Sequence, residues 1–173
     1  AVNSASHSDP QHLCVFDGAL FFGASSQYGR ELHRFSKEDG VMRLVVDIRR
    51  GPDSSDPRHL TSCGGVLWFT ANDGLRGDEL YASDGALGYL DPVIQRGEAG
   101  TRLAKDIRPG KGSSSPDHFV CLNNVLLFAA TDDVNGRELW RAAWSDLTGS
   151  STLSVSRVAD VHQGHGSSSP EYL

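Results

Sequence analysis

One phrase occurs four times in this chain, and its repetition limits the fold more than any other property. It reads DIRPGKGSSSPDHF at 106–119, DIRRGPDSSDPRHL at 47–60, DVHQGHGSSSPEYL at 160–173 and, in part, SASHSDPQHL at 4–13. With Pro10, Pro57, Pro116 and Pro170 as markers, the spacings are 47, 59 and 54 residues, in the range of propellers and repeat arrays. Fixed offsets recur around each proline. Asp47, Asp106 and Asp160 lie ten residues before it, Gly51, Gly110 and Gly164 six before, and Ser8, Ser55, Ser114 and Ser168 two before. His12, His59, His118 or Tyr172 follows two after.

Between these phrases the pattern is that of strands. Asp17-Gly18, Gly64-Gly65 and Asn123-Asn124 are two-residue hairpin turns, made of residue types that tolerate positive φ. Apolar runs follow (ALFFGA, VLWFTA, VLLFAA), then YGRELHRF, RGDELYAS and NGRELWRA, and finally RLVVDI, RLAKDI and SRVADV. Each unit therefore predicts four short antiparallel strands, and no segment carries a helical period. From Pro to the Glu of each Glu-Leu pair the distance is 21, 22 and 22 residues, whereas from that Glu to the next motif Asp it is 16, 27 and 22. Length variation sits in the connection between third and fourth strands, at 86–100 and 144–154, where an insertion leaves the ladders intact. The Gly-Ser-Pro phrase reads as the crossing from one sheet to the next: Gly permits positive φ, Ser and Asp bond backbone N–H groups, and Pro fixes φ.

Assembled in this way, the chain resembles the ELWxxDGT repeat family, large multi-repeat proteins best known from bacteria. The second unit carries FTANDGLRGDELYASDGA and EAGTRLAKDIRPGKGSSSP, the third FAATDDVNGRELW, and the first FFGASSQYGRELHRF with His33 in place of the Trp. The Asp-Gly-Thr expected after Glu-Leu-Trp is Asp84-Gly85-Ala86 in the second unit and absent from the third. What the resemblance implies is a β-propeller on the cell surface or outside the cell, adhesive or scaffold-like, and it supplies no catalytic residues.

The expected class is all-β: a β-propeller of three four-stranded blades, as an arc of a larger ring, with a β-trefoil as the alternative. The units are 1–56, 57–115 and 116–169, and 170–173 begin a further repeat. A closed trefoil would leave SASHSDPQHL and GSSSPEYL competing for one position, and a stacked solenoid also satisfies the repeat.

The 173 residues and 38% hydrophobic content suffice for one core of ordinary size. A net charge of −6 argues against a nucleic-acid partner, and no apolar run approaches the length of a membrane helix. Glu31, Glu79 and Glu138 recur in every unit, which suits a structural acceptor for backbone donors at the following turn better than a general acid or base. Asp73 and Glu79, with Asp132 and Asp133, are candidate Ca²⁺ ligands, although their spacing is not that of an EF-hand and turn chemistry explains them equally. His12, His59 and His118 form a candidate zinc set whose default role is hydrogen bonding at the start of a strand. Cys14, Cys63 and Cys121 are odd in number and on equivalent strands, so the expectation is buried thiols without a disulfide. Trp68 is a core candidate, while Tyr89 and Trp144, in the variable connections, are candidates for ligand or partner contact. The expected function is a non-enzymatic structural and interaction module that binds protein partners, neighbouring copies or further repeats of the same chain. A carbohydrate-binding lectin, dependent on calcium or not, is the alternative.

Overall fold

The computed structural model describes residues 7–88, 100–145, 152–159 and 166–170. Twelve strands form three four-stranded antiparallel sheets, each taken from consecutive strands, and no helix occurs among the described residues. Sheet 1 contains β1 (Gln11–Phe16), β2 (Ala19–Ser26), β3 (Gly29–Ser36) and β4 (Met42–Val46). Sheet 2 contains β5 (Arg58–Cys63), β6 (Val66–Asn72), β7 (Asp78–Ser83) and β8 (Thr101–Lys105). Sheet 3 contains β9 (Asp117–Leu122), β10 (Val125–Asp132), β11 (Gly136–Ser145) and β12 (Thr152–Arg157).

The hairpin turns are as the residue types require. Asp17 and Gly18, Gly64 and Gly65, and Asn123 and Asn124 all have φ between 45° and 73°. A second set of left-handed residues was not legible. The residue before each marker proline (Asp9, Asp56, Ser115, Ser169) has φ of 41–47°, and the following His12, His59 and His118 have φ of 52–58°. Each histidine lies where the first strand slips register against the second, so it is the extra residue of a bulge that bends the incoming chain into the sheet.

Strand alternation sends two apolar faces out of each sheet, and sheet 2 uses both. Leu67, Phe69, Ala71 and Tyr81 pack on Phe16, Phe21, Leu32 and Val45 of sheet 1. The opposite face, with Val66, Trp68, Leu80 and Ala82, packs on Leu126, Phe128, Ala130 and Trp140 of sheet 3. This explains why β6 is buried along almost its whole length. The two buried indoles still satisfy their N–H groups, Trp68 on the Cys63 carbonyl and Trp140 on that of Ala130.

The first strands of successive sheets lie side by side, β1 next to β5 and β5 next to β9. That proximity overturns the expectation of three free thiols. Cys63 and Cys121 form a disulfide with a Cα separation of 5.4 Å, and Cys14 alone is free. The two partners are one step out of register, six residues after Pro57 and five after Pro116, so a residue at the end of β5 meets the next-to-last residue of β9.

The disulfide closes a loop of 58 residues across the junction of sheets 2 and 3. Its removal is expected to destabilise the chain by about 2–4 kcal/mol, through added freedom of the unfolded state. Urea unfolding of the oxidised protein, the reduced protein and the Cys63→Ser/Cys121→Ser double variant checks this; the last two should share a lower midpoint.

Candidate functional site

One buried polar group recurs in all three sheets of the described residues. Glu31, Glu79 and Glu138 are fully buried on their third strands, yet each faces the serine crossing that leaves its sheet. In sheet 2, Oε2 of Glu79 accepts from the Ile107 amide (2.9 Å) and the Ser114 hydroxyl (2.6 Å), while Oε1 accepts from the amides of Ser114 (3.0 Å) and Arg108 (3.4 Å). Glu31 repeats the set with Ile48, Arg49 and both donors of Ser55. Glu138 receives the Ser168 amide at 2.9 Å and its hydroxyl at 2.5 Å. The sequence points only to donors at the following turn, whereas the carboxylate holds the inter-sheet crossing as well as the chain leaving the fourth strand.

The neighbouring residues complete a clasp. The serine one place earlier (Ser54, Ser113, Ser167) accepts the amide of the residue before each glutamate. The clasp serine then offers its carbonyl to the next sheet: Ser55 accepts from Asn72, and Ser114 accepts from Thr131. One serine therefore ties the glutamate of one sheet to the second strand of the following sheet. The approach is too close for a side chain on the facing strand. A Cβ at Gly29 (φ +76°) would lie 2.3 Å from the Asp53 carbonyl oxygen, and one at Gly77 (φ +73°) 2.8 Å from that of Gly112.

The sequence-derived metal candidates are each engaged with other partners. Asp73 accepts from the amides of Leu75 and Arg76, Asp132 from those of Val134 and Asn135, and Asp133 pairs with Arg108 at 2.6 Å. Glu79 is engaged in the clasp. Among the described residues no group of three or more His, Cys, Asp or Glu is arranged to hold a metal ion. The His12 and His59 rings do come together, with centroids 5.8 Å apart, but the next contact in the row is Phe119, 5.9 Å from His59. Burial, and then the charge of Arg58, keep His59 below its ordinary pKa.

Trp144 lies within β11 rather than in the connection after it, which corrects its expected place. It is half-buried beside the core between sheets 2 and 3, with the Arg102 guanidinium 4.0 Å over its ring. Together with Gly64, Ser83 and Asp84 these two side chains line a cleft of about 350 Å³ between the sheets. A second cleft, of about 370 Å³ between sheets 1 and 2, is lined by Asp17, Arg34 and Asp84. Tyr89 lies outside the described residues.

Burial pushes the Glu31 and Glu79 carboxyls from 4.5 up to about 7, against the pull of the donors around them. Between those values the folded chain holds more protons than the unfolded chain, so this contribution to stability is full below 4.5 and is lost as the pH rises through about 7. Urea midpoints should therefore fall across that interval, and the fall should flatten in the Glu31→Gln/Glu79→Gln double variant. That variant should also be weaker at every pH, because each Gln turns an N–H toward serine donors. An unchanged slope would remove these carboxyls as its source.

Comparison of the chain with protein-family models, with curated proteins and with solved structures finds no match.

Proposed function

We propose that this chain is a segment of a β-propeller, three blades of a larger ring, serving as a non-enzymatic structural and interaction module of an extracellular or surface-displayed repeat protein. The observation that carries the reading is the clasp. Its buried carboxylates, the groups that burial would otherwise suit for acid–base chemistry, are each consumed in holding the crossing that leaves their sheet, and at Glu31 and Glu79 that crossing leads into the next sheet. Further support comes from the side-by-side first strands, as expected around a propeller axis, and from the resemblance to ELWxxDGT repeats. The Cys63–Cys121 disulfide favours an oxidising compartment.

Contact with a partner is assigned to the 86–97 connection and to Trp144. A second reading, a lectin that stacks a sugar in the cleft of Asp84, Arg102 and Trp144, has that cleft in its favour. The Arg102 side chain over one face of the indole counts against it.

A glycan array probed with and without chelator, beside a protein-interaction screen on the intact chain, separates the readings. The module reading predicts protein partners whose binding is lost on deleting 86–97 or in Trp144→Ala, with no glycan retained. Glycan retention abolished by Trp144→Ala would replace it with the lectin, and chelator sensitivity would make that lectin calcium-dependent.

A further inference from the structure

Four positions are buried wherever one sheet meets the next. At the first junction they are Phe16, Ala19, Phe21 and Leu32, and at the second Cys63, Val66, Trp68 and Leu80, all buried. Their equivalents on sheet 3 are Leu122, Val125, Leu127 and Leu139, related by the same ladder pairs. Here Leu122 is 56% exposed and the other three are only half-buried. Sheet 3 therefore ends in an apolar face with the residue pattern of a sheet-to-sheet junction, and nothing among the described residues lies on it as a fourth sheet.

Sheet 1 has the complementary deficit. Val15 pairs with Leu20, Leu20 with Phe35, and Phe35 with Met42, so four apolar side chains cross the sheet in one row. Val15 is 70%, Phe35 38% and Met42 51% exposed. The same rows of sheets 2 and 3 (Ser62-Leu67-Ser83-Thr101 and Cys121-Leu126-Ala142-Val155) face the preceding sheet, with Leu67, Ser83, Leu126 and Ala142 buried. The polar half of the junction is incomplete in the same sense. Ser8 offers its carbonyl to the Ser25 amide at 2.7 Å, as Ser55 and Ser114 do to their following sheets. Its hydroxyl, unlike theirs, meets no glutamate among the described residues.

We infer that two copies of this chain associate head to tail, the outer face of sheet 3 in each packing on the Val15–Leu20–Phe35–Met42 row of the other. The occupant is a second copy because the two free faces carry the residue positions that already match at the internal junctions, so the chain is complementary to itself. With the three described sheets of each copy, two such junctions make a ring of six sheets, within the roughly 4 to 8 blades over which propellers close. This inference rests on the propeller reading above. At each new junction one serine must bridge Glu138 of one copy and the Ser25 amide of the other. Ser168 and Ser8 both fit that position, and only one of them can hold it. The redundant segment therefore competes with assembly, and its removal tightens the ring.

Sedimentation velocity of the intact oxidised chain over a range of concentrations tests this. A dimer is expected. Leu127→Asp and Phe35→Asp, both on outward faces, should each weaken it by about tenfold or more. An equimolar mixture of the two variants should recover dimer, since one of the two junctions in the mixed pair carries neither substitution. A chain shortened to end at residue 159 should dimerise more tightly, and circular dichroism confirms that each variant keeps its sheets. A wild-type chain that remains monomeric, a dimer indifferent to both substitutions, or a mixture that stays monomeric would overturn head-to-tail association. Those outcomes leave the module reading standing, because that reading is decided by partner binding at 86–97 and Trp144.

Discussion

A buried carboxylate surrounded by donors on the chain that must be held still is the interaction on which the rest of this structure depends. An isolated glutamate at zero exposure would be severely destabilising, so its persistence in three equivalent places requires that its oxygens be satisfied. The serine crossing does this with two donors from one residue, and the chain leaving the fourth strand adds two backbone amides at Glu31 and Glu79. Hydrogen bonds to an ionised or partly ionised acceptor are stronger than neutral ones, and they orient both partners. The crossing, rich in Gly, Ser and Pro and without a ladder of its own, acquires a defined path in this way. It then presents a carbonyl to the next sheet, so the geometry of one unit is handed to its successor.

Around that link the apolar contacts follow from alternation. Residues on β6 point in turn to sheet 1 and to sheet 3, and the middle sheet becomes buried on both faces while the outer ones keep an open face each. Ion pairs at the crossing vary in detail while keeping position: Arg58 with Asp78 in sheet 2 becomes Asp117 with Arg137 in sheet 3. In sheet 1 the corresponding position is Gln11, and Arg30 pairs with Asp9 instead. The disulfide adds a covalent tie between β5 and β9 that β1 and β5 lack, which makes the two internal junctions unequal in strength.

Much of the fold was legible because periodicity of two, residue types at the hairpins and the offsets from proline all give local information. The twelve strands and the three Asp-Gly, Gly-Gly and Asn-Asn turns are of this kind. The structural role of Glu31, Glu79 and Glu138 also followed from their recurrence, but the serine that each one binds lies about 24 to 35 residues further on, and separation of that length leaves no local pattern to identify a partner. The disulfide is not legible for a geometric reason: nothing local in the sequence shows that the first strands are neighbours, or that the two cysteines compensate for the offset by differing one step in position. Trp144 reads as part of a connection because the strand pattern gives way there to Ser, Asp, Thr and Gly, whereas the ladder to β12 continues to Ser145. The left-handed histidines had no signal at all, since a bulge depends on the partner strand.

Amide hydrogen exchange at the second crossing tests the central claim most directly. If Glu79 fixes the crossing, then Glu79→Ala in an otherwise folded chain will speed exchange at Ile107, Arg108 and Ser114, and at Thr131, which bonds to the Ser114 carbonyl, while the β6–β7 ladder keeps its protection. Unchanged exchange at those four amides would mean that packing of the sheets positions the crossing without the carboxylate.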